Sequence, residues 1–146
     1  MKAHFTNELE LHPLPDGRNF RLAHVFGLFT PATGLIVVPA GFITDLASIP
    51  RLFWNILPPF GKYTAGAVIH DYLYRTRLVS RALADRTLLT GMKLGRVPFW
   101  QRLVIYWNVR IFGGFAWRDD ARHLPKPTVR DSGEPYRGHH YMSRHD

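Results

Sequence analysis

Cysteine is missing from all 146 residues, which excludes a disulfide framework and any thiolate metal site. Carboxylates are scarce too: 11 Asp and Glu stand against 19 Lys and Arg, for a formal charge of +8. No uninterrupted apolar run of about 18 residues occurs, so no transmembrane helix is expected. The absence of cysteine favours the cytosol of a cell or assembly there, and the opening MKAHFTNELE lacks the apolar stretch expected of a signal peptide. Neither a phosphate-binding glycine loop nor a His-Glu-x-x-His helix is present, and with them go the commonest nucleotide and zinc-protease chemistries.

What is there suits a packed globule: 46% hydrophobic and 14% aromatic residues, at a length that makes one domain the natural expectation. The charge is uneven. From Arg118 onward six basic residues face five acidic ones, and the remaining thirteen basic and six acidic residues leave residues 1–117 at +7. Such a body fits an anionic partner, or is simply a soluble basic protein. Its six acids are Glu8, Glu10, Asp16, Asp45, Asp71 and Asp85, and the last three fall between Gly41 and Asp85 in apolar surroundings.

The pattern predicts an α+β domain over 1–117, with strands first and helices after, followed by a polar, Pro-containing tail over 118–146. Two or three antiparallel strands are expected before residue 43, with turns at Pro15-Asp16-Gly17 and Thr30–Gly34. About four helices should follow: Arg51 to Ile56, about Thr64 to Thr76, Ser80 to Leu94 with Gly95 as terminator, and Pro98 to about Phe112, where Gly113-Gly114 interrupts.

On the second of these helices His70 and Tyr74 are four apart and share a face, while Asp71 is rotated about 100° away. On the third, Ala82, Asp85, Leu89 and Met92 follow helical spacing, so Asp85 lies within an apolar stripe. Antiparallel packing of the two would bring Asp85 to His70. A carboxylate on one imidazole nitrogen leaves the other able to take a proton from water, which is general-base geometry. The same residues also read as a buried His–Asp pair, or as a salt bridge from Asp85 to Arg75, Arg77, Arg81 or Arg86 that locks two helices. Ser48, His70 and an aspartate have the composition of a triad, but Ser48 is better explained as a helix cap, a role open to Asp45 as well.

The stretch Gly41–Arg51 (GFITDLASIPR), followed by His70-Asp71-Tyr72-Leu73-Tyr74 and Ala84-Asp85, closely resembles a family of tailed-phage and prophage proteins with no established activity. The resemblance implies a viral origin, with the host cytoplasm or the virion as location and other phage structural proteins as partners. It also marks Asp45, Ser48 and Arg51 as supporting residues. His-Asp-x-x-Tyr on one helix and Ala-Asp-x-x-hydrophobic on the next also resemble the viral branch of the phospholipase A2 superfamily. That likeness implies His70 as base, Asp85 as its orienter, Tyr74 as support, Asp71 as a calcium ligand and a phospholipid ester as substrate. The chain departs from that family before His70, where Leu57–Lys62 offers one glycine in place of a glycine-rich calcium loop.

On the last helix Phe99, Trp100, Leu103, Val104, Trp107 and Ile111 form one broad apolar face. It reads either as a core face closing the domain or as an interface to lipid headgroups or a neighbouring subunit, and exposure of Trp100 and Trp107 decides between them. Nucleic acid fits poorly, because the arginines are dispersed and no reader motif accompanies them.

Overall fold

The computed structural model describes residues 1–45 and 61–120, the side chains of Asp119 and Asp120 excepted. Among these residues six short strands precede three helices, an α+β order with the strands first. The helix expected at Arg51 to Ile56, the residues Ser48 and Arg51, and the tail beyond Asp120 lie outside the described residues.

The strands are β1 (His4–Phe5), β2 (Leu11–Pro13), β3 (Phe20–Leu22), β4 (Phe26–Thr30), β5 (Gly34–Val38) and β6 (Ile43–Thr44). Six replace the two or three expected, because the stretches between turns are broken. The run from Phe20 to Phe29 divides at Ala23–Val25, and its halves join different antiparallel sheets, β2-β3-β6 and β1-β4-β5. Both anticipated turns form. Asp16 accepts the backbone N–H groups of Arg18 and Asn19 at 2.9 Å, and Gly17 takes φ +68°. At the β4–β5 hairpin Gly34 takes φ +70° and pairs with Thr30. On β5 Ile36 and Val38 point inward while Leu35 and Val37 face out, the period-two pattern of a one-sided sheet.

Helix α1 (Thr64–Thr76) lays Val68, Ile69, Tyr72 and Leu73 onto Leu22, Phe26, Leu28, Ile36 and Val38, which makes the main core. Arg77 ends it in the left-handed conformation, with its N–H on the Leu73 carbonyl. Ser80 caps α2 (Arg81–Leu94) through the Leu83 N–H, as the sequence indicated. The buried side of α2 is Ala84, Asp85, Leu88 and Met92; Ala82 is exposed and Leu89 only half-buried, a rotation of the expected stripe. α1 and α2 run antiparallel, with Gly66 opposite Gly91, His70 opposite Asp85 and Tyr74 opposite Arg81. The two glycines let the backbones nearly touch: a Cβ on Gly91 would stand 2.7 Å from the Gly66 Cα.

Helix α3 (Phe99–Asp120) runs unbroken through Gly113-Gly114, where the sequence suggested an interruption. Close approach explains Gly113 better than helix ending does, since a Cβ there would lie 2.7 Å from the Tyr74 hydroxyl. The side of α3 that faces the domain carries Ile105 and Asn108, both buried. The broad aromatic face is not core: Trp100 is 50% and Trp107 57% exposed. Among the described residues no helix is long and apolar enough to cross a membrane.

If the glycine crossing sets the spacing of α1 and α2, Gly91→Ala must force them apart. The expected loss is about 1–3 kcal/mol, the range for overpacking a close contact. Urea unfolding at neutral pH measures it, and a midpoint equal to wild type would show that the crossing tolerates a methyl group.

Candidate functional site

Asp85 is the one described carboxylate with no exposed surface. An anion so placed requires donors around it, and the three helices supply them. From α1, His70 Nε2 lies 2.8 Å from Oδ1 and the Tyr74 hydroxyl donates to the same oxygen at 2.6 Å. From α3, Arg110 Nη1 donates to Oδ2 at 2.7 Å. Arg81, one turn before Asp85 on α2, stands 3.9 Å from Oδ2. Its guanidinium also donates to the Tyr74 hydroxyl at 3.3 Å and to the Val109 and Arg110 carbonyls at 3.1 and 2.6 Å.

Burial works to raise the Asp85 pKa, but hydrogen bonds from His70, Tyr74 and Arg110 outweigh it and hold the carboxyl below its ordinary value. The group is therefore an anion and can only accept, so Nε2 carries the hydrogen in the His70 contact. That leaves Nδ1 as the ring nitrogen able to accept a proton. Burial, and then the bond to Asp85, push the Tyr74 phenol far above its ordinary value, so it stays a donor.

Asp71 takes the other direction from α1. Thr44 of β6 donates to its Oδ2 at 2.7 Å, and Arg75 Nε lies 3.3 Å from Oδ1. Arg75 also donates to the Ile43 carbonyl at 2.9 Å, so both residues tie α1 to β6. Burial raises the Asp71 pKa, against the opposing pull of Arg75 and Thr44.

These groups border a cavity of about 480 Å³ between α1 and α3. Its polar wall includes Asp45, His70, Asp71 and Asn108, and its apolar wall Ile105, Val109, Phe112 and Phe115. The His70 side chain keeps 12% of its surface exposed. Among the described residues no three His, Asp or Glu side chains gather as a metal shell. Of the residues named from sequence, His70, Tyr74 and Asp85 form one bonded cluster, Asp71 and Asp45 share the cavity wall with it, and Ser48 and Arg51 fall outside the described residues. Thr44, Arg110 and Asn108 were not anticipated. Arg110 had a signal, an arginine on a mostly apolar helix, but its partner is 25 residues away.

The chain matches the family described as "Protein of unknown function (DUF1353)" over residues 20–109, more than half its length. It is also 36% identical over 96 residues to "Uncharacterized protein y4jT" of Sinorhizobium fredii (strain NBRC 101917 / NGR234). That stretch is 64% of this chain and 29% of the relative, so the chain spans under a third of that protein's length. No solved structure matches.

Asp85→Asn should cost about 1–3 kcal/mol at neutral pH, because the buried side chain loses the charge to which His70, Tyr74 and Arg110 are bonded. The Asp85 pKa is depressed on folding, so its contribution is complete above the unfolded value near 4 and is lost as pH falls through the folded value. Thermal melts of both proteins from pH 7 to pH 2 should therefore converge at the acid end. A gap that stays constant with pH would contradict the assignment of charge to Asp85.

Proposed function

For this chain, which belongs to the DUF1353 family of proteins of unknown function, we propose a non-enzymatic structural or assembly role in a phage or prophage particle. The His70–Asp85 cluster serves there as a buried joint. One observation carries this reading: Asp85 has no exposed surface and is bonded by side chains from both other helices. A carboxylate that only oriented a catalytic histidine would keep its charge for the imidazolium. Here Arg110 already neutralises it at 2.7 Å and Tyr74 shares the oxygen that meets His70, an arrangement suited to fastening helices. The likeness of Gly41–Arg51 and His70–Tyr74 to tailed-phage proteins supports the particle setting.

A second reading is favoured by one feature, the position of His70 on the cavity wall. In it His70 Nδ1 takes a proton from a water that attacks an ester, most simply a phospholipid ester. Asp85 orients the ring and Tyr74 holds Asp85. Calcium takes about six to eight oxygens, and the described carboxylates on this wall are Asp45 and Asp71, the latter already bonded to Thr44 and Arg75. This reading therefore rests on His70 and not on an ion.

His70→Ala separates the two. The joint predicts a stability loss of about 1–3 kcal/mol, the cost of leaving a buried acceptor short of a donor. It also predicts no fatty-acid release from phospholipid or short-chain esters by the wild type, with or without added calcium. Ester turnover that disappears in His70→Ala while the melting temperature holds would replace the structural role by the enzymatic one.

A further inference from the structure

Helix α3 is apolar on both sides. Its inner side packs on the domain, and its outer side presents Phe99 (67% exposed), Trp100 (50%), Leu103 (40%), Trp107 (57%) and Ile111 (64%). A helix that is hydrophobic all round belongs in an environment that covers all of it. We infer that this outer face is where a second copy of the chain docks, helix against helix. The inference does not depend on how the Asp85 cluster is read.

Three observations select a second copy. The first is spacing. Trp100, Val104, Trp107 and Ile111 follow one another at intervals of four, three and four, the step that keeps a seam turned toward a partner helix. About three turns of such a seam suit a short helix pair, not a long coiled coil.

The second is charge. Copies of a chain at +8 repel one another, and they can close only through a face that adds no charge of its own. Between Phe99 and Ile111 the charged residues are Arg102 and Arg110, and neither stands on the Trp100–Val104–Trp107–Ile111 seam, although Arg102 borders the outer face. Arg102 lies over the Phe99 ring at 5.6 Å, and Arg110 turns to Asp85. An anionic bilayer would instead be met by basic residues flanking the seam along its length, whereas the exposed Lys93, Arg96 and Arg118 stand beyond its two ends.

The third is area. Five large side chains, each about half exposed, leave roughly 500–600 Å² of apolar surface, more than isolated exposed side chains leave on most monomers. Doubled across a two-fold axis this gives roughly 1,000–1,200 Å², the lower end for a specific interface. The expected association is therefore micromolar and reversible.

Sedimentation velocity on the full chain from about 1 to 200 µM, the range that brackets a micromolar constant, tests it. The wild type should pass from monomer to dimer. Trp107→Glu and Ile111→Glu should each weaken the dimer at least about tenfold while far-UV circular dichroism and melting temperature hold, since both side chains are already exposed. Leu35→Glu, on the exposed side of β5, should leave it unchanged. Salt distinguishes the partner: screening the +8 charge should tighten a homodimer, whereas binding to vesicles of phosphatidylcholine and phosphatidylglycerol would weaken with salt. A chain that stays monomeric throughout, whether its own residues or another partner cover the face, overturns the proposal. So does a dimer indifferent to both α3 variants, or a monomer that sediments with vesicles through Trp107.

Discussion

A carboxylate shut away from water is stable only when its surroundings replace the lost hydration, and in this fold that demand falls on Asp85. No single helix could meet it. The two α1 donors share one oxygen, and the α3 guanidinium takes the other. Because each donor must arrive within hydrogen-bonding distance, the anion dictates how the helices stand relative to one another. Hydrophobic contacts such as Leu88, Met92 and Ile105 supply most of the attraction, but they are non-directional and tolerate sliding. The charge does not tolerate it.

Successive residues on α1 divide the work. His70 points to α2 and Asp71 to β6, a separation that follows from the 100° step between neighbours in a helix. Through Thr44 and the Ile43 carbonyl, the polar contacts of Asp71 and Arg75 connect the smaller sheet to the helices. Core packing connects the larger one. α1 is thus the element through which both sheets and both other helices communicate, and Gly66 against Gly91 fixes its distance from α2.

Much of this could be read in the sequence, for reasons that differ by region. The boundaries of α2 were legible because Ser80 and Gly95 are strong local signals, and α1 was legible because its apolar run is long. The meeting of His70 with Asp85 was legible because a short connection between two helices leaves few ways to pack. The strands were harder. Segments of two to five residues carry too little pattern to show where Phe20–Phe29 changes sheet. Gly113 misled because a glycine required by a neighbouring tyrosine looks, in one dimension, like a glycine that ends a helix. The facing of α3 was ambiguous for a related reason: apolar residues surround the whole helix, so periodicity could not say which side the domain would take. Arg110 escaped because its role depends on a partner outside its own helix.

Arg81 grips α3 by two main-chain oxygens, those of Val109 and Arg110. Carbonyls are common to every amino acid, so this clamp is blind to what side chains the helix displays outward. The outer residues of α3 can therefore diverge among relatives without loosening the clamp. A surface with that freedom can be retuned to new neighbours while the scaffold beneath it stays as it is.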